Sequence, residues 1–200
     1  MRCPLCHAPL QEHSPCCPQC HFDLEQADRD FGIPPSLGVP LTDLANALTR
    51  RQFRLTLKAL EAFTRRFPQL FFHVVVSKLP KEQNIATTVF WLFNKGSLCT
   101  PLEDGGFCQD ALLLLDTDNL RAACIVGYGL EPFVTPEALQ EISRATLPAL
   151  REKQCFEAIQ RALVKADEVL TAASAAVSKA YGLNQNDVQP SPVHAQSFAY

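Results

Sequence analysis

Apolar residues recur at Leu41, Leu44, Leu48, Leu55, Ala59 and Ala62, spaced by threes, fours and one seven. That spacing lays one stripe along a helix running to about Arg66. Thr42 or Asp43 is placed to N-cap it, and Pro68 stops it. The pattern then changes character. Residues 70–76 read Leu-Phe-Phe-His-Val-Val-Val, a short aromatic and β-branched run that predicts a buried strand. His73 inside it reads as a core or edge histidine rather than a ligand. Pro80 interrupts the chain, and residues 82–94 return to helical spacing through Ile85, Val89 and Leu92. Residues 95–109 hold Gly96, Pro101, Gly105 and Gly106 and read as an irregular loop.

A second buried strand is expected over 111–115 and a third over 121–126, joined by the turn composition Asp116-Thr117-Asp118-Asn119 into a hairpin. Pro136 and Glu137 open a helix that should end near Pro148. A long helix follows over 152–181, with Phe156, Ile159, Leu163, Leu170, Ala173, Val177 and Tyr181 on one stripe and Gly182 as its cap. The order is helix, strand, helix, two strands, two helices. A strand, a crossover helix and a strand favour a parallel, right-handed pair, to which the hairpin adds an antiparallel member. The expected fold class is therefore α/β, a layered sandwich with a small mixed sheet flanked by helices.

The first 24 residues stand apart. Cys3-Pro4-Leu5-Cys6-His7-Ala8-Pro9-Leu10 returns as Cys17-Pro18-Gln19-Cys20-His21-Phe22-Asp23-Leu24, so both copies read C-P-x-C-H-x-x-L. Two residues between cysteines let both thiolates of one turn face a single ion, and two such turns complete a tetrahedron for a borderline-soft cation. Cys3, Cys6, Cys17 and Cys20 are the expected ligands of a structural zinc. Cys16 competes with Cys17, but only Cys17 keeps the two-residue spacing to Cys20. His7, His13 and His21 read as solvated residues beside the site. A redox reading of C-x-x-C expects a βαβ context that is missing here. Four thiolates saturate the ion, so this zinc should fold the segment rather than catalyse. Chelation is expected to unfold it while sparing the domain behind it.

The organisation expected is a zinc ribbon over 1–24, a Gly- and Pro-bearing linker over 25–40, an α/β domain over 41–183, and a disordered tail over 184–200.

Composition narrows the partners. The chain has 200 residues, of which 47% are hydrophobic, with a net charge of −3. Arg2 is the one basic residue of the ribbon apart from histidines, so phosphate contacts are scarce and the balance argues against nucleic acid. Arg50, Arg51, Arg54, Arg65 and Arg66 read as a solvated helix face. Of nine cysteines, Cys16, Cys99, Cys108, Cys124 and Cys155 lie outside the zinc set, without disulfide-framework spacing, which suits a reducing compartment. With no apolar signal core and no stretch long enough to span a bilayer, a cytoplasmic protein without membrane insertion is expected.

The search for chemistry centres on Gly127-Tyr128-Gly129-Leu130-Glu131. It is not a dinucleotide loop, because Pro132 replaces the third glycine and no helix opens there. The hairpin would bring Asp104, Asp110 and Glu131 near this turn, where carboxylates suit calcium or magnesium, and would leave Asp116 and Asp118 at the opposite end. Ordinary loop and turn acids are the competing reading for all five. Cys99, Cys108 and Cys155 lack the context of a nucleophile and read as core or surface thiols.

From Ala111 through Leu112–Leu115, Asp116, Arg121 and Gly127 to Glu131, the strand, charged turn, strand and Gly-Tyr-Gly-Leu-Glu resemble the TPM-domain family. Trp91 and Phe156 match aromatic positions, and the likeness spans roughly residues 40–175. It implies a compact α/β sandwich. Members of that family have been linked to phosphatase activity, calcium binding and maintenance of membrane complexes, and most are exported or membrane-tethered. Where the family has a small glycine before the second strand's apolar run, this chain has Asp110. The reading that follows is an adaptor: a zinc ribbon joined to a TPM-like domain that acts on a protein partner. The alternative is a weak divalent-metal-dependent phosphatase using acids near the Gly-Tyr-Gly turn.

Overall fold

The structure, a computed structural model, describes residues 2–11, 14–37, 39–98 and 108–180, with side chains to residue 176. Helix α1 (Leu24–Phe31) is followed by strand β1 (Leu41–Asp43), helix α2 (Arg50–Arg66), strand β2 (Phe71–Ser77) and helix α3 (Ile85–Lys95). The hairpin strands β3 (Asp110–Asp116) and β4 (Arg121–Val126) then lead to helices α4 (Pro136–Arg151) and α5 (Cys155–Ala180). The four strands lie in the order β1-β2-β3-β4, the first three parallel and β4 antiparallel to β3.

Alternation along the central strands divides the interior in two. Leu113 and Leu115 of β3, with Phe72, Val74 and Val76 of β2, face a core closed by Leu60 of α2, Ile142 of α4 and Ile159 of α5. Leu112, Leu114 and Val75 face the other way, onto Val89, Phe90 and Trp91 of α3 and onto Cys3, Cys17 and Phe22 near the N-terminus. With both faces covered, all seven residues of β3 are buried. For the same reason α3 is buried at every position from Thr87 to Phe93, because it lies between the sheet and the cysteine-bearing segment.

Helices α2 and α3 cover opposite faces, although the chain steps across the sheet in one direction, β1 to β2 to β3. The two parallel crossovers therefore have opposite hands. One of them departs from the right-handed rule, which the sequence led us to expect only for the crossover from β2 through α3 to β3.

Several boundaries differ from the sequence expectation. The span 25–40 contains most of α1, N-capped by Asp23, whose carboxylate accepts from the Gln26 N–H at 2.6 Å. Ala27 and Leu37 are buried in the second core, so that span is attached to the domain. Leu41 and Thr42 belong to a strand, not a helix, and pair with Val74 and Val75. Asp43 accepts from the N–H groups of Ala47 and Leu48 in the turn that follows. The N-cap of α2 is Thr49, in a capping box with Gln52. Helix α4 runs through Pro148 to Arg151, and the missing N–H is tolerated near the helix end because Ala149 and Leu150 anchor the last turn in the core. Gly182, Tyr181, the tail over 184–200 and most of the loop over 95–109 lie outside the described residues.

Candidate metal centre and the polar end of the sheet

Each C-P-x-C-H repeat closes on itself in the same way. Cys3 donates its N–H to the Ala8 carbonyl at 2.8 Å, and His7 donates back to the Cys3 carbonyl at 3.0 Å. Cys17 and His21 repeat this with Phe22 and Cys17, at 2.8 and 2.9 Å. His7 and His21 both sit in the left-handed region, with φ of 60° and 58°. The histidines are the turn residues of two matching knuckles.

The knuckles bring four sulfurs together. Cys3 and Cys20 lie 3.5 Å apart at Sγ, as do Cys6 and Cys17, and all four ligand atoms fall within 4.8 Å of one another. A tetrahedral zinc with bonds near 2.3 Å implies sulfur separations of about 3.8 Å, so the donor set fits such an ion. Cys16 is exposed, and Cys17 is the one grouped with Cys3, Cys6 and Cys20. The Cys20 backbone N–H draws the Cys17 thiol down to about 6, against the effect of burial. At Cys20 the Phe22 N–H acts in the same sense, but burial and the crowding of Cys3, Cys6 and Cys17 outweigh it and push the thiol up to about 12. Four thiols this close cannot all ionise without a cation, which is the condition a metal satisfies.

The metal centre is joined to the domain by more than a linker. Phe22 meets Phe90 edge-on, with ring centroids 6.0 Å apart, and Phe31 meets Trp91 at 5.3 Å. Trp91 Nε1 donates to Asp28 at 2.7 Å, and Lys95 Nζ pairs with the same carboxylate at 2.8 Å. Lys95 first, and then Trp91, holds the Asp28 carboxyl below the ordinary range. Sequence reading missed this clamp, because Asp28 and Trp91 meet only through tertiary packing. It also means that residues of the first 24 share a core with α3.

At the Gly-Tyr-Gly end of the sheet, Gly127 donates to the Asp110 carbonyl at 2.9 Å and Gly129 to the Cys108 carbonyl at 3.0 Å. A Cβ on Gly127 would collide with that Cys108 carbonyl, so glycine is required for close approach of two backbones. Asp110 is buried, and its carboxylate lies 3.2 Å from Nε2 of His73. Nδ1 of His73 is buried and has no hydrogen-bond partner among the described residues. Cys108 Sγ stands 3.2 Å from the other Asp110 oxygen, and Cys108 is disulfide-bonded, not the free thiol expected of it. Asp104 lies outside the described residues, and Glu131 lines a groove beside β4. The one signal for the His73–Asp110 pair in the sequence is a polar residue in each of two adjoining apolar strands.

At the other end, Asp116 is fully buried and organises the hairpin turn. It accepts from Arg121 Nη2 at 2.6 Å and Nε at 3.0 Å, and from the N–H groups of Leu79, Asp118 and Asn119. Burial alone would raise its carboxyl, but Arg121 and Asn119 hold it below the ordinary range. Asp118 is exposed. These are turn acids. Burial pushes the Cys124 and Cys155 thiols up to about 12, away from the thiolate form. Among the described residues the four cysteines are the one group of three or more side chains arranged to hold a metal, and no helix is long and apolar enough to cross a membrane.

Comparison with known proteins agrees with this architecture. Solved structures of similar fold include the N-terminal domain of a P. gingivalis protein, with a TM-score of 0.56 and 21% identity over 66% of this chain and 82% of that one. Another is the N-terminal domain of a Corynebacterium glutamicum protein, with a TM-score of 0.51 and 12% identity over 84% and 95%. No curated protein matches the sequence. The sequence pattern of the TPM domain matches residues 41–169, well over half of the chain, and the protein therefore belongs to the TPM-domain family.

Proposed function

We propose that this chain is a zinc-binding adaptor whose TPM domain acts on a protein partner. The observation that carries the reading is the construction of the metal centre. The sulfurs of Cys3, Cys6, Cys17 and Cys20 lie within 4.8 Å of one another, and together they would fill all four positions of a tetrahedral ion and leave none for water or substrate. Zinc there braces the knuckles against α3, which is a scaffolding task. The absence of a basic surface on the ribbon supports a protein partner over nucleic acid.

A second reading has one observation in its favour. Asp110, buried beside His73 at the Gly-Tyr-Gly turn, is the kind of carboxylate that would hold calcium or magnesium together with Asp104 and Glu131 in a weak phosphatase. One experiment separates the two. Metal analysis of the purified chain is combined with hydrolysis of a phosphate monoester with and without added calcium or magnesium. The adaptor reading expects one zinc per chain and no turnover. Turnover that requires calcium or magnesium and is lost in Asp110→Asn would overturn it.

A further inference from the structure

Strand β4 is the edge of the sheet, and its free side can be read from the hydrogen-bond pattern. Gly127 donates to the Asp110 carbonyl, and pairs on this ladder continue as Val126 with Ala111, Ile125 with Leu112 and Cys124 with Leu113. In an antiparallel pair the hydrogen-bonded residues alternate, so Ile125, Ala123 and Arg121 turn their backbone groups to β3. The N–H and C=O groups of Ala122, Cys124 and Val126 face away from the sheet, and no strand among the described residues pairs with them.

An open edge is normally blunted by charge, proline or a bulge. The run Ala122–Val126 has none of these. It lies instead at the floor of a groove of about 770 Å³. One wall is built by Arg2 and His7 of the first knuckle with Ile85 of α3, and the other by Leu139, Ser143 and Leu147 of α4. The floor is shallow where Ala122 and Ala123 leave room for incoming side chains, with Ala122 and Cys124 directed to one core and Ala123 and Ile125 to the other. A second copy would have to bring its own edge between its own copies of these walls, which obstruct one another. A single extended segment meets no such obstacle. Charge favours an acidic one: Arg144 on the α4 wall reaches only Gln140 at 3.4 Å among the described residues, while Arg2 on the opposite wall donates to the His7 carbonyl at 3.5 Å and is balanced by Glu137. The groove's own carboxylate, Glu131, follows the end of β4 at the Gly-Tyr-Gly turn.

We propose that the groove over β4 takes up one extended segment of a partner protein as an added strand, with apolar side chains at alternate positions and a carboxylate reaching Arg144. Backbone bonds to Ala122, Cys124 and Val126 give the affinity, and the two walls read alternate side chains. The proposal rests on the adaptor reading and names its surface.

The test uses the zinc-loaded full chain and a library of N-acetylated hexapeptides, matching the six residues of β4, with alternating Val, Leu or Phe and Thr or Ser and one terminal Asp. Binding is read by fluorescence anisotropy and the footprint by amide exchange. The expected result is saturable binding with new protection at Ala122, Cys124 and Val126. Cys124→Pro removes an outward N–H without touching the β3 ladder and should weaken binding about tenfold. Arg144→Ala should weaken it about threefold. Ser143→Trp narrows the groove from the α4 side and provides the same loss if the proline variant fails to fold. No binding, or a footprint away from β4, overturns the proposal. So does protection of the three amides in the free chain, whether independent of concentration, as for the chain's own residues 181–200, or rising with it, as for a second copy. Zinc content and turnover are measured on the same sample, so loss of the β4 proposal with one zinc and no turnover leaves the adaptor reading standing.

Discussion

The two faces of the sheet are closed by different means. On one, α2, α4 and α5 bury Leu60, Ile142, Ile159 and their neighbours against β2 and β3, with Arg66 of α2 reaching Asp167 and Thr171 of α5 only at the rim. On the other there is a single helix, α3, and what covers it is held in place by polar contacts and carries the four cysteines arranged to hold a metal. The four cysteines fix the knuckles, Asp28 ties α1 to Trp91 and Lys95, and Asp116 ties the start of the α3 segment through Leu79. The first face rests chiefly on apolar area removed from water, which is non-directional. The second depends on a few directional contacts, so individual losses there should spread further.

Removing the metal is the harshest way to break this contrast. Chelation, or Cys17→Ser, leaves the knuckles without their cross-link, and the cover over α3 loosens with them. The expected outcome is exposure of Trp91, seen as a red-shifted emission, with new amide exchange in α1 and α3. Amides of α4 and α5 keep their protection. If Trp91 and α3 are unmoved by chelation, the shared core contributes nothing and the ribbon is separable after all.

Asp116→Ala comes next. It leaves the Arg121 guanidinium without its buried carboxylate and the Leu79 and Asn119 N–H groups without an acceptor, at a cost of about 3 kcal/mol. The wild-type carboxyl is held below its ordinary range in the folded state. Its contribution is therefore present above the unfolded pKa and lost as pH falls through the folded one. The gap in denaturation midpoint between wild type and variant should close on acidification. A gap that persists would mean that packing of the turn, and not the charge, carries the effect.

Ile159→Val supplies the contrasting measurement on the hydrocarbon face. Ile159 is fully buried, and loss of one methylene there should cost about 1 kcal/mol. The cost should be equal with and without zinc, because no directional contact of the other face lies on it. Unequal costs would show the two cores to be coupled through the sheet.

This division explains what could be read from the sequence. Strands β2, β3 and β4 were legible because each is an apolar run bounded by breakers or acids, and the cysteine knuckles were legible because metal chemistry fixes ligand spacing. Strand β1 was not. Leu41, Leu44 and Leu48 happen to fall at helical intervals, and only pairing with Val74–Val76 makes Leu41–Asp43 a strand. Helix α1 was hidden by its length: eight residues give an apolar face of only Leu24, Ala27 and Phe31, inside a span whose polar residues, glycines and prolines read as a linker. Likewise, nothing in the spelling of Asp28, Trp91 and Lys95, or of His73 and Asp110, marks them as partners, since each set meets only when separate elements dock. The continuous burial of α3 was visible as apolar content, but what lay on its outer side was not.

The smallest expected effect concerns the clamp between these regions. Asp28→Asn keeps an oxygen to accept from Trp91 Nε1 and removes only the charge facing Lys95. Both partners are about a third exposed, so the loss in melting temperature should be smaller than that of Ile159→Val. Acidification is a poor readout here. The carboxyl's contribution does fade as pH falls below its depressed folded value, but protonation of the cysteines releases the metal on the same descent. Salt is the cleaner axis. At neutral pH the difference between wild type and Asp28→Asn should shrink as ionic strength rises, because Lys95 and Asp28 are partly solvated and screened. A difference indifferent to salt would mean that Asp28 acts through Trp91 alone. In that case α1 is held to α3 by the indole hydrogen bond and the Phe31–Trp91 contact, with no electrostatic share.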